Sequence, residues 1–109
     1  MDLETLFERV MPHFRTPHVG AGKDRMNDLV RRHEAGLVWM MDDLSRGAAK
    51  KIIFDLMKKD IPCMQLGTSD ELEARVFIEN IKILTLKKSF PGLKHLIEQL
   101  SAADILFTA

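Results

Sequence analysis

The chain has no tyrosine, one tryptophan, one cysteine and no apolar run that approaches a membrane span. Each shortage excludes something. A lone Cys63 cannot close an internal disulfide, so nothing here asks for an oxidising compartment. A transmembrane helix needs roughly 20 consecutive apolar residues, and none are present. The start, MDLETLFERV, is acidic and amphipathic. It lacks the basic flank and unbroken apolar core of a signal peptide. These features predict an intracellular, cytoplasmic protein (in a host cell if the gene is viral or phage-borne) with no membrane partner. Net charge is missing too, because sixteen basic and sixteen acidic residues cancel. Such a chain is not steered as a whole toward nucleic acid or anionic lipid, so any such binding must come from local clustering. Repeats and low-complexity tracts are absent. Proline and glycine gather in RTPHVGAG (15–22) and IPCMQLGTS (61–69), which read as loops rather than domain linkers. Residues 1–109 are expected to form a single helical domain.

What is present is periodic. Leu3, Leu6, Phe7, Val10 and Phe14 follow the i, i+3, i+4 spacing of one helical face, and Pro12 ends that segment. A long stripe of Met26, Leu29, Val30, His33, Leu37, Met40, Met41 and Leu44 predicts a second helix. Ser45 caps a third, in which Ala48, Ala49, Ile52, Ile53 and Leu56 face inward and Pro62 is the stop. TSDE (68–71) is a capping-box signature opening a fourth. Leu93, Leu96, Ile97 and Leu100 mark a fifth, and AADILF a short last turn. The prediction is all-α: a compact bundle of five to six helices at about 2–11, 24–44, 46–60, 69–88, 91–100 and 102–107. Strand is the rival reading of VFIENIKILTL (76–86).

Three of these helices carry apolar residues beyond one stripe. Val38 and Trp39 point away from the stripe of the second. Phe54 sits among Lys50, Lys51 and Lys58 in the third. In the fourth, Phe77, Ile78, Ile81 and Leu84 oppose Leu72, Val76, Ile83 and Leu86. Burying one large apolar side chain stabilises by about 1.5–3 kcal/mol, so the surplus is a strong drive toward cover. Either the fourth helix is central and the aromatics lie under loops, or a partner covers them. The expected function is a non-catalytic protein-interaction module: an adaptor, inhibitor or regulatory subunit. It would dock on another protein or on a second copy, as in a homodimer, through Val38, Trp39, Phe54, Phe77, Ile81 and Leu84.

The alternative is a bundle that binds duplex RNA or DNA. Lys50, Lys51, Phe54 and Lys58 share a face with Arg46 nearby, and Arg25, Arg31 and Arg32 extend it. Lysines around an aromatic can hold phosphates and stack a base. The bland reading is a solvated face stitched by Asp55 to Lys51 and Lys59.

Chemistry has few candidates. His13 and His18 lie five apart in a Pro-containing stretch, which is not the helical spacing of a zinc pair. His33, within an apolar stripe, reads as a core histidine whose ring nitrogens find partners. Cys63 has lysines upstream but no positioned base. GAG (20–22) could bring an anion to a helix N-terminus, against the charge of Asp24. No catalytic group, metal site or cofactor is expected.

Overall fold

In the computed structural model, which describes residues 1–107, α1 (Leu3–Val10) leads through a 3-10 turn (Met11–His13) into β1 (Val19–Ala21). There follow α2 (Lys23–Arg31), β2 (Ala35–Met40), α3 (Arg46–Lys58), β3 (Cys63–Gln65), α4 (Ser69–Val76), β4 (Ile83–Lys87) and α5 (Leu93–Ala102). The fold is α/β, and the all-α helical bundle is wrong. The four strands form one mixed sheet in the order β1-β4-β2-β3. β2 and β3 are parallel, and β4 runs antiparallel to both β2 and β1.

The correction has a single physical origin. β2 is buried at every position. Leu37 and Trp39 enter a core shared with α1, α4 and α5, whereas Val38 and Met40 enter a second core with α2 and α3. A strand covered on both faces loses the alternation that identifies strands, and its side chains then also satisfy a helical stripe. The expected helix at 24–44 is therefore α2 followed by β2. In the expected helix at 69–88, only Ser69–Val76 is helical, and the rest is a loop and β4. The rival strand reading of 76–86 overlaps β4 only over residues 83–86. Both apparent loops hold a short strand, β1 in 15–22 and β3 in 61–69. Of the surplus apolar residues, Val38, Trp39 and Leu84 lie on strands, whereas Phe54 stays on α3 and Phe77 ends α4.

Helix ends are set by residues that hide their role. His33, Asp60 and Asp104 all take φ near +60°. Each follows a helix in the same way. Glu34 donates back to Leu29, Ile61 to Leu56 and Ile105 to Leu100, while His33, Asp60 and Asp104 donate to Val30, Met57 and Ser101. This is the Schellman arrangement, in which the left-handed position is usually glycine. The predicted last turn at 102–107 is not a helix. After Asp104 the chain extends, Ile105 and Leu106 pack on the first core, and the Phe107 N–H donates to the Cys63 carbonyl at 2.9 Å. The tail thereby covers part of the β3 edge.

Side-chain bonds fix the layers to one another. The Trp39 indole N–H donates to the Leu66 carbonyl at 2.8 Å, and the Phe7 ring lies 5.2 Å from the indole. Asp43, just after β2, accepts from the Ser69 N–H at 2.8 Å and from the Ser69 hydroxyl, pinning the start of α4. Thr68 and Glu71 complete the expected capping box there. No described helix is long and apolar enough to cross a membrane.

Two predictions follow from this packing. The Thr85 hydroxyl is fully buried between Gly20 and Val38 and has no hydrogen-bond partner among the described residues. Thr85→Val keeps the shape and removes the orphan group, so it is expected to stabilise the fold by about 1–2 kcal/mol. A lower urea midpoint would show that the hydroxyl is bonded after all. The hydrogen bond from the Ser69 hydroxyl holds the Asp43 carboxyl below its ordinary value. A lowered folded pKa contributes stability above about pH 3.9 and loses it as pH falls through the folded value. The stability difference between the parent and Asp43→Ala is expected to shrink between about pH 5 and about pH 2. A pH-independent difference would rule out the carboxylate as its source.

Candidate nucleic-acid interface

The neutral chain is polarised by its fold. α2 and α3 cover one face of the sheet, and together they carry seven basic against three acidic side chains. α1, α4 and α5 cover the other face, with three basic against six acidic side chains. Net charge says nothing about this separation. Only the topology places the two basic crossovers side by side.

On the basic layer, Arg25, Arg31 and Arg32 all approach one carboxylate, Asp28, at 2.9, 2.7 and 3.3 Å. One anion among three guanidiniums leaves two positive charges in excess. The i, i+4 pair of Asp28 with Arg32 is one of the three. Between α2 and α3 lies a groove of about 410 Å³ whose lining includes Lys23, Asn27, Lys51, Phe54 and Asp55 over a floor of Met26, Val30, Ile52 and Leu56. Asp55 is engaged by Lys59 at 3.0 Å, not by Lys51, and the Lys58 ammonium sits 5.0 Å from the centre of the Phe54 ring. Phe54 is 66% exposed.

The groove begins at the N-terminus of α2. Gly22 takes φ +91°, a conformation open to glycine, and supplies no side-chain cap. Its own N–H donates to the Ile83 carbonyl at 2.9 Å. The next N–H groups of the first turn have no side-chain acceptor among the described residues. Such groups, with the helix dipole behind them, attract anions. Asp24 opposes this, and Lys23 supports it.

The predicted nucleic-acid residues Arg31, Arg32, Arg46, Lys50, Lys51 and Lys58 are all exposed on this layer. Lys23 and Arg25 belong with them, and the sequence reading did not include Lys23. Its signal was the position directly after GAG. The predicted partner-contact residues divide. Val38, Trp39, Ile81 and Leu84 are interior and offer no surface, whereas Phe54 and Phe77 are exposed. They do not meet: Phe54 is on the basic layer, and Phe77 follows α4 on the opposite face.

Phe77 is 86% exposed and caps α4 with φ +59°. For a bulky residue that conformation costs roughly 1–2 kcal/mol, and burial does not offset it within this chain. Around Phe77 a shallow depression is lined by Asp70, Glu73, Ala74 and Glu79. That acidic surface is unsuited to phosphates.

The other candidates hold no assembled chemistry. A groove of about 660 Å³ lies at the end of the sheet where β2 and β3 begin and β4 finishes, and includes Arg31, His33, Lys59 and Lys88 over Val30, Ile61, Leu93 and Ile97. Lys59 is paired with Asp55, and Arg31 shares Asp28 with Arg25 and Arg32. His33 is exposed at its turn and is not the core histidine expected. The His13 ring lies 5.0 Å from Phe90 and 6.2 Å from His18, whose Nδ1 lies 3.0 Å from the Ser89 hydroxyl. Cys63 is buried in the second core, and burial pushes its thiol up to about 11, so it is a poor nucleophile. No cluster of three or more His, Cys, Asp or Glu among the described residues fits a metal ion.

No protein-family model and no curated protein matches this sequence. Solved structures do, with 89 matching chains, so the fold recurs. One is a protein of unknown function from Bacillus halodurans C, with a TM-score of 0.71 at 17% sequence identity, over 84% of this chain and 95% of that one. At that identity the likeness establishes a shared fold, an α/β sandwich, and carries no activity with it.

Proposed function

We propose that this chain binds nucleic acid across its α2–α3 layer, and that RNA with unpaired bases is the class that suits the surface best. The observation that supports this reading most is the groove that starts at the open N-terminus of α2 and brings Lys23, Lys51 and the exposed Phe54 together. Phosphates take the lysines, the arginines around Asp28 and the free N–H groups. An unpaired base takes the Phe54 ring, which is sequence-tolerant because every base has a π-face. A fully paired duplex leaves that ring unused, and double-stranded RNA hides its bases in a groove side chains cannot read. This revises the duplex reading of the basic face while keeping its residues.

The protein-contact reading retains Phe54 and Phe77 of its six named residues. It is supported by the exposure of those two rings and by the apolar floor beneath Phe54. No catalytic role is proposed.

The test is a fluorescence-anisotropy titration of a labelled RNA hairpin with an unpaired loop, run beside a matched duplex, from about 50 to about 200 mM salt. With about four phosphates neutralised, the logarithm of affinity is expected to fall with a slope near −3 against the logarithm of salt. Lys51→Glu should weaken binding and flatten that slope. Phe54→Ala should cost about 1–3 kcal/mol without changing it. Absence of binding at the lowest salt, or affinity indifferent to both substitutions, would refute the proposal.

A further inference from the structure

The two most exposed large apolar side chains lie in opposite electrostatic settings. Phe54 is surrounded by Lys50, Lys51 and Lys58 on α3. Phe77 is surrounded by Asp70, Glu73 and Glu79 at the end of α4. One sits on the basic face of the sandwich and the other on the acidic face. Within a single chain neither ring is covered, and Phe77 is held in a left-handed conformation that a small polar residue would take with less strain.

We infer that a second copy of this chain covers them head to tail, the lysine-ringed Phe54 of one molecule seating against the carboxylate-ringed Phe77 of the next. The occupant is argued from charge complementarity. Three lysines flank one ring, where the carboxylate of Asp55 is held by Lys59. Three carboxylates flank the other, where the Arg15 guanidinium donates to the Val76 carbonyl. The excess is positive on one side and negative on the other, so each arrangement would repel its own kind. A symmetric pairing of two basic or two acidic faces is therefore disfavoured, and unlike faces attract. The contact is heterologous: each copy uses one surface and leaves the other free. Because the patches lie on opposite sides of the sheet, repeated contacts build an open row rather than a closed pair. Two rings and a few charges make a small surface, so association is weak and depends on concentration. The inference shares Phe54 and its lysines with the nucleic-acid reading but adds the α4 surface, which plays no part in that one.

Sedimentation equilibrium over a concentration series, at low and at high salt, tests it. The parent's average mass is expected to rise with concentration without a plateau at the dimer, and roughly tenfold higher protein should be needed for the same mass at high salt. Phe77→Asn, which suits the left-handed position, and Glu73→Lys should each leave the protein monomeric. Phe77 is exposed and Glu73 half-buried, and far-UV circular dichroism checks that both variants fold. Phe54→Ser alone should also be monomeric. An equimolar mixture of Phe54→Ser and Phe77→Asn should form a one-to-one pair and stop there, because each supplies the surface the other lacks. A parent that stays monomeric at low salt overturns the inference. So does a dimer plateau that Phe77→Asn leaves intact, or a mixture that stays monomeric while the parent associates. At protein concentrations where the parent is monomeric, RNA binding by Phe77→Asn should equal that of the parent, so failure here and failure of the nucleic-acid proposal read out separately.

Discussion

Burial of β2 on both faces is the constraint from which the rest of this structure follows. Leu37 and Trp39 serve one core, and Val38 and Met40 serve the other. A strand in that position must be flanked by strands and covered by helices above and below, because its backbone groups have no water to bond. β4 and β3 supply the flanks. α1, α4 and α5 supply one cover, and α2 and α3 the other. Trp39 then has to place its indole N–H, and the Leu66 carbonyl after β3 answers it. The same loop carries Thr68 and Ser69 into the capped start of α4, where Asp43 from the end of β2 meets them. Thus the central strand fixes not only the core but also the entry of the helix on its acidic side.

How much of this was legible depends on whether a segment has one wet face. α1, α3 and α5 do, and their positions are readable to within two or three residues from apolar spacing, the Ser45 cap and the proline stops. The capping box at Thr68 was readable because it is local chemistry. β2 and β4 were not readable as strands, since burial on both sides erases alternation. Their side chains could be threaded onto helical stripes that began correctly in α2 and α4. The stops of α2 and α4 were hidden as well, because His33 and Phe77 occupy left-handed positions where glycine would have announced an end. One clue was available and was assigned to the wrong cause. Val38, Trp39, Ile81 and Leu84 fitted no single stripe, and residues that fit no helical face are what a doubly covered strand or its approach looks like.

The candidate site was legible in part for a different reason. Charged side chains must stay wet, so a lysine or arginine in sequence is nearly always a surface residue, and all six predicted basic residues are exposed. What the sequence could not disclose is which basic segments share a face. A count of sixteen against sixteen reads as neutrality, yet α2 and α3 cover the same side of the sheet and concentrate the positive charge there. Apolar residues behave in the opposite way. Four of the six proposed contact residues are interior, since the first demand on a large apolar side chain is the core of its own chain.

Concentrating opposite charges on opposite faces has a thermodynamic consequence. A polyanion lying on α2 and α3 occupies the lysines that would face the carboxylates around Phe77 of another copy. Two ligands competing for one surface are negatively coupled, and the coupling is reciprocal: whatever factor the polyanion takes from self-association, self-association takes from polyanion binding. The acidic layer is spared in that exchange, because its carboxylates repel phosphates and remain open to a basic partner. The fold thus separates two electrostatic preferences within a chain that has no net charge, and the sheet between the two layers keeps them apart.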